Sequence, residues 1–237
     1  MSNKKRNNNQ SNGTRLLKKI SPKTDGQFEY MRAIIENDIT ICTGPAGSGK
    51  SLIAVSLAAE KFINREYDKI IITRPVVGCG KKSLGALPGD IDEKMAPYLA
   101  PVFQHFSTLI GEQLLKTYVG EGRIQISPLE FMRGSNFDNC FVILDEAQNA
   151  DFDELVMFIT RFSEGCKMVI NGDPAQTDLH PGARGIDKVI KQCKNLHGFG
   201  IVELSTNDIV RHDIVRRFLI AMEPVISNRE YRKECAE

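Results

Sequence analysis

The stretch Gly44-Pro-Ala-Gly-Ser-Gly-Lys-Ser51 constrains this chain more than any other. It fits the spacing G-x-x-x-x-G-K-[ST], in which a glycine-rich loop cradles phosphates with its backbone N–H groups. Gly44, Gly47 and Gly49 can take backbone angles that a Cβ forbids, so the loop curls with its donors inward at the start of a helix. Residues 38–43 alternate like a short strand, and Leu52 to Phe62 place apolar residues at helical spacing. Strand, loop and helix therefore stand in the order that phosphate binding requires. Lys50 is expected on the β- and γ-phosphates and the Ser51 hydroxyl on Mg²⁺. Pro45, Ala46, Ser48 and Leu52 complete the expected nucleotide-binding segment.

A second signal lies further on, in Asn139-Cys-Phe-Val-Ile-Leu-Asp-Glu-Ala-Gln148. Four apolar residues predict a buried strand that ends in Asp145-Glu146. An Asp at such a strand end can hold Mg²⁺ through water, and the adjacent Glu can polarise an attacking water. Lys167 to Asn171 predicts another buried strand, followed by Gly172-Asp-Pro-Ala-Gln176. Gly172 allows a sharp turn, and the Gln176 amide stands where a sensor would separate triphosphate from diphosphate.

The remaining segments read less sharply. Gln27 opens a helical pattern just before the loop strand, and its amide offers both a donor and an acceptor. Lys69 to Arg74 predicts a buried parallel strand, with Thr73 and Arg74 emerging at its C-terminal end, where open α/β sheets place their sites. Thr and Arg there could hold a nucleic-acid backbone; an ordinary strand exit is the alternative. Residues 76–122 look partly inserted: glycines and prolines punctuate 76–101, and Glu93 to Gln113 is expected to be helical. Ser127-Pro-Leu-Glu130 fits a capping box, and Asp151-Phe-Asp-Glu154 an N-cap with an acidic first turn, opening a helix to Phe162. Gly182 to Lys194 can form a helix. Asp208 to Ile220 predicts a basic amphipathic helix carrying Arg211, Arg216 and Arg217.

Charge and cysteine content narrow the class. Residues 1–24 carry seven Lys and Arg and no acid, which leaves −6 on the rest of a chain whose net charge is +1. The body gives no net-charge case for nucleic-acid binding; the tail is expected to be disordered and able to touch phosphate backbones non-specifically. Six scattered cysteines form no C-x-x-C pair, so neither a zinc site nor a disulfide framework is expected, and a reducing cytoplasm fits best. Neither a membrane span nor a signal peptide is expected from the apolar runs.

Taken in order, Gln27, the phosphate loop, Ile-Thr-Arg-Pro, Leu-Pro-Gly-Asp, Pro-Leu-Glu-Phe-Met-Arg-Gly, Leu-Asp-Glu-Ala-Gln-Asn, Gly-Asp-x-x-Gln-x-Asp and Val-Arg-His resemble the PhoH-like ATPases. The resemblance covers about residues 24–224, with Ser51 where the family commonly has Thr. It implies an α/β, RecA-like P-loop NTPase with a mostly parallel sheet and helices on both faces. It also implies ATP and Mg²⁺ as cofactors and a core similar to one half of a helicase motor. Some members are fused to RNA-binding or PIN nuclease domains; no such fusion is expected within these 237 residues. On this resemblance Gln27 becomes the adenine reader, Glu146 the general base and Gln176 the sensor. Thr73, Arg74 and Arg133 become nucleic-acid contacts, and Arg211, in Val-Arg-His, an active-site arginine.

The expected organisation is a tail over 1–24, an ATPase domain over 25–225 and an extension over 226–237. The expected output is Mg²⁺-dependent ATP hydrolysis coupled to RNA or single-stranded DNA. A nucleotide-binding switch or assembly module of low turnover is the alternative; a small-molecule kinase is disfavoured by the acidic pair. Because only one helicase half is expected, a homo-oligomeric ring, most simply a hexamer, is expected to bring Arg216 or Arg217 to a neighbouring site.

Overall fold

The computed structural model describes residues 19–75, 91–177 and 185–222. Four expectations therefore fall wholly or partly outside the described residues: the tail to residue 18, the insertion over 76–90, residues 182–184 of a helix, and the extension 226–237.

Helix α1 (Asp25–Glu36) leads into β1 (Ile39–Thr43), and the phosphate loop joins β1 to α2 (Lys50–Ile63) and β2 (Lys69–Arg74). Helices α3 (Ile91–Ile110) and α4 (Glu112–Gly120) precede β3 (Ile124–Pro128). Then come β4 (Cys140–Leu144), α5 (Phe152–Ile159), β5 (Lys167–Gly172), α6 (Gly185–Cys193) and β6 (Phe199–Glu203). Residues 213–222 form a last helix, α7. The six strands make one sheet in the order β3-β2-β4-β5-β1-β6, and every adjacent pair is parallel.

A parallel sheet buries both faces, which is why its strands read as near-continuous apolar runs. Alternation within a run still decides which layer each residue serves. Ile70 and Ile72 pack on one face with Ile53 and Phe62 of α2, Phe106 of α3, and Tyr30 and Ile34 of α1. Ile71 points the other way, with Val142 and Leu144, into a layer closed by Leu155 and Phe158 of α5 and Ile186 and Val189 of α6. The fold is thus the expected three-layer α/β arrangement. Strand β5 separates the phosphate-loop strand β1 from the acid-bearing strand β4. The C-terminal ends of β1, β2, β4 and β5 lead to Gly44, Arg74, Asp145 and Asp173, which brings those residues to one edge of the sheet.

Several local expectations are corrected. Ser127 forms no capping box: the ladder to Thr73 takes it into β3, and the four-residue 3-10 turn Leu129–Met132 has Pro128 before it with no side-chain cap. The box at Asp151 does form, with Asp151 and Glu154 each accepting the other's backbone N–H, but α5 stops at Ile159 rather than Phe162. The chain then returns to the sheet layer, where Phe162 bridges Phe137. The C-terminal helix does not begin at Asp208. Asp208 closes a 3-10 turn, Thr206–Asp208, capped by Ser205, and the Val210 N–H donates to Gly47 O at 3.0 Å. Ile209, with φ of −69° and ψ of 113°, is extended and interrupts the helical path, so α7 starts beyond Arg211. Residues 19–24, expected in the tail, are ordered: Ile20 packs on the core and Thr24 caps α1. Cys42, Cys140 and Cys166 are buried free thiols, as their strand positions imply.

Candidate nucleotide site

The loop after β1 is shaped by two glycines, Gly47 and Gly49, with φ of 86° and 90°. An L side chain is strained at such angles. Gly44 is needed for a different reason: a Cβ there would lie 2.6 Å from the Leu204 carbonyl oxygen. Gly49 caps α2 with no side-chain bond, which leaves the free N–H groups of that helix start facing the loop.

The loop is propped from both ends of the described unit. The Gln27 amide donates to Ser48 O at 2.9 Å, and its own oxygen accepts the Lys23 N–H at 2.9 Å. From the far end, Leu204 N–H donates to Thr43 O at 2.8 Å, next to the Val210 bond to Gly47. The two ends meet: Thr24 Oγ1 donates to Asp208 Oδ1 at 2.6 Å. Gln27 therefore lies buried beneath the loop with both ends of its amide engaged by the protein. That placement differs from an amide displayed for adenine.

The ionic groups of the site are paired with one another. Lys50 Nζ donates to the carbonyl of Gly44 and, at 3.0 Å, to that of Pro45. Ser51 Oγ donates to Asp145 Oδ1 at 2.8 Å. The other Asp145 oxygen accepts from Arg74, at 2.6 Å from Nη2 and 3.2 Å from Nε. Arg74 Nη2 also lies 3.4 Å from Glu146 Oε1. Glu146 has φ of 59° and ψ of 36°, a left-handed conformation that costs a non-glycine residue energy and persists only where its surroundings hold it. Gln148 provides one hold: its amide donates to Glu146 Oε2 at 2.7 Å and accepts the Asp173 N–H at 2.9 Å.

Burial shifts three titratable groups in and beside the cleft. It pushes the Asp173 carboxyl up, against the Lys50 charge and the backbone N–H groups of Ala175 and Ala46 that favour the ionised form. It pushes the His105 imidazole down, opposed by Asp145 and reinforced by Arg74. Tyr30 is raised well above the ordinary phenol range by burial and donates to Asn171 Oδ1. Asn171 Nδ2 and Asp173 Oδ2 are buried without a partner among the described residues, and both residues line the cleft. A buried donor with no partner is costly, and a phosphate oxygen would satisfy it.

These residues enclose a cleft of about 410 Å³. Of the expected site residues, it is lined by Ala46, Gly47, Gly49, Lys50, Ser51, Leu52, Arg74, Asp145, Glu146, Gln176 and Arg211. Arg211 lies over the loop of its own chain, where a Cβ on Gly47 would sit 2.6 Å from its Nε. Arg216 is not in the cleft; its Nε is buried in α7 with no partner among the described residues. The nucleic-acid candidates separate. Thr73 is fully buried and Arg74 belongs to the cleft, so neither is presented on a surface, whereas Arg133 is exposed.

Sequence reading missed the cleft residues His105, Asn171 and Asp173, and also Gln148, which bonds to Glu146 and Asp173. Gln148 and Asp173 fell inside motifs already singled out, so spacing could have flagged them. Asn171 was read only as the end of a strand. His105 gave no local signal, because nothing around it reveals that α3 returns to the phosphate loop.

No group of three or more His, Cys, Asp or Glu among the described residues could hold a metal alone. Ser51 and Asp145 supply two hard oxygen donors, a set suited to Mg²⁺, which keeps waters and shares phosphate oxygens.

A phosphate loop after β1, an acidic pair after β4 and a strand between them define a RecA-like P-loop NTPase fold. A profile of the family described as "PhoH-like protein" matches residues 19–223, and the chain belongs to that family. The chain is 41% identical over 207 residues to a PhoH-like protein of Bacillus subtilis (strain 168), covering 87% of this chain and 65% of the relative. It is 37% identical over 205 residues to Protein PhoH of Escherichia coli (strain K12), covering 85% of this chain and 58% of that protein. The chain thus spans about two thirds or less of the length of these curated relatives. Among solved structures, a large terminase from a thermophilic bacteriophage superposes with a TM-score of 0.51 at 10% identity, over 84% of this chain and 50% of that one. That likeness speaks to the fold. No helix among the described residues is long and apolar enough to cross a membrane.

Proposed function

We propose that the chain is a Mg²⁺-dependent ATPase that couples hydrolysis to binding or remodelling of RNA or single-stranded DNA, as a homo-oligomeric ring in the cytoplasm. The observation that carries the hydrolytic part is the alignment of Lys50, Ser51, Asp145, Glu146 and Gln176 around one cleft. Lys50 leaves the carbonyls of Gly44 and Pro45 for the terminal phosphates, which present the same kind of oxygen with a full charge. Ser51 and Asp145 hold Mg²⁺, whose charge offsets that of the phosphates. Glu146 accepts the proton of the attacking water, and Gln148 fixes one of its oxygens so that the other faces the cleft. Gln176 reports whether the terminal phosphate is present.

Gln27 acts first as a prop for the loop and reaches the adenine only by exchanging one of its protein bonds. Arg211 serves its own subunit, consistent with its position over Gly47. Arg216 is assigned to the neighbouring subunit of the ring, and Arg133 to the nucleic acid. The domain is placed over residues 25–225.

Phosphate release from Mg·ATP, measured with and without single-stranded RNA and DNA, tests the reading. Turnover that rises with one of the strands is the expected result. Turnover indifferent to both removes the nucleic-acid part. Tight ATP binding without turnover favours a nucleotide switch instead.

A further inference from the structure

Arg74 was singled out as a residue for a nucleic-acid backbone, yet its guanidinium occupies the heart of the cleft. Its side chain is only 14% exposed and that of its partner Asp145 only 4%. Both Asp145 oxygens are engaged, one by the Ser51 hydroxyl and the other by Arg74. Glu146 is held in the same way, with Oε2 accepting from Gln148 and Oε1 facing Arg74 at 3.4 Å. One arginine therefore stands on the carboxylate that would hold the metal and on the cleft-facing oxygen of the base.

A metal cation and a guanidinium cannot both occupy that place. Both are positive, and beside a carboxylate whose side chain is only 4% exposed their repulsion is poorly screened. When metal arrives with a nucleotide, Arg74 must give up Asp145. A displaced guanidinium at this depth is strongly destabilised unless it finds a new anion. The planar fork of an arginine matches phosphate oxygens bidentately, and a terminal phosphate brings a further anion into the cleft. With a diphosphate that group is absent, and Asp145 and Glu146 remain the available partners.

We propose that Arg74 reads the terminal phosphate of the nucleotide: it transfers from Asp145 and Glu146 to the γ-phosphate when Mg·ATP binds, and returns when the γ-phosphate is gone. The transfer uncovers Glu146 Oε1 only when there is a phosphate to attack, so one residue links nucleotide recognition to exposure of the base. From another element, α3 brings Pro101 and His105 to the same cleft. The inference rests on the ATPase reading above.

The test uses the full chain as wild type, Arg74→Ala and Arg74→Lys. Isothermal titration compares Mg²⁺ with ADP against Mg²⁺ with a non-hydrolysable ATP analogue, and electron paramagnetic resonance measures Mn²⁺ binding in the presence of ADP. In Arg74→Ala, affinity for the ATP analogue should fall about tenfold or more. Affinity for ADP should hold or rise, and Mn²⁺ should bind more tightly because its competitor is gone. Arg74→Lys should lie between. A merely structural ion pair would lower the melting temperature and leave the ATP-to-ADP ratio and the Mn²⁺ affinity unmoved; that outcome overturns the proposal. If Arg74→Ala does not fold, Arg74→Gln carries the same expectations. A wild type that binds neither nucleotide overturns the ATPase reading itself, whereas a wild type that binds both, with the ratio unchanged on substitution, overturns only the role of Arg74.

Discussion

At the scale of single residues, the cleft is a set of charges that satisfy one another until a nucleotide supplies better partners. Lys50→Ala should abolish tight triphosphate binding, because the γ-phosphate charge loses its lysine. Titration with Mg·ATP checks this, and an unchanged affinity would take Lys50 out of the phosphate site. Glu146→Gln should keep nucleotide affinity and lose hydrolysis by about 100-fold or more, since an amide keeps the shape but cannot take up a proton. Single-turnover phosphate release near the wild-type rate would remove the base assignment. The loop and the acidic pair were legible in the sequence because their chemistry depends on spacing along the chain. Arg74 was located correctly at a strand end but given the wrong neighbour. Which side chain a strand end faces depends on β2 lying beside β4, and no local pattern states that. The bond from Gln27 to the loop was not legible for a related reason: its partner Ser48 is brought to it by the packing of α1 under the loop.

At the scale of elements, the strands followed from apolar runs, whereas cap and boundary positions followed from tertiary bonds that propensity does not contain. The C-terminal helix was expected too early because Ser205 caps a short 3-10 turn and Ile209 leaves it extended, which brings Val210 to the phosphate loop. The junction of α1 with the 206–208 turn can be tested through Asp208. Burial raises its carboxyl, but Thr24, Ser205 and the Gly26 N–H together outweigh burial and hold it below the ordinary aspartate range. A depressed carboxyl contributes stability above its unfolded-state value, and that contribution disappears as pH falls through the lower folded-state value. Asp208→Asn should therefore cost about 1–3 kcal/mol near neutral pH. The gap to wild type should close as pH drops below about 4. Urea unfolding of both proteins across that range measures it; a gap independent of pH would mean that the carboxylate charge is not what these three residues hold.

At the scale of the whole molecule, the single RecA-like unit leaves Arg216 to be accounted for. In a ring with arginines acting across the interface, mixing Lys50→Ala with Arg216→Ala chains should return part of the lost ATPase activity. Some sites would then combine an intact loop from one chain with an intact arginine from the other. Light scattering in the presence of ATP should give a mass well above 26.5 kDa. No recovery together with a monomer mass would end the ring proposal. Residues 1–24 act at the same scale: deleting 1–18, which leaves the Thr24 cap in place, should flatten the dependence of nucleic-acid affinity on salt. An equal slope would leave that segment no electrostatic part in binding.

The bond from Val210 to Gly47, with that from Thr24 to Asp208, also sets an order of events during synthesis. The phosphate loop leaves the ribosome early, but the backbone groups that hold its carbonyls come from a segment made more than 150 residues later. Contacts of such long sequence separation form late in folding. A nascent chain stalled before residue 204 carries the whole G-x-x-x-x-G-K-S motif with the Gln27 prop beneath it but without the Leu204 and Val210 bonds. The loop thus reaches its full set of supports only once residue 210 has been made.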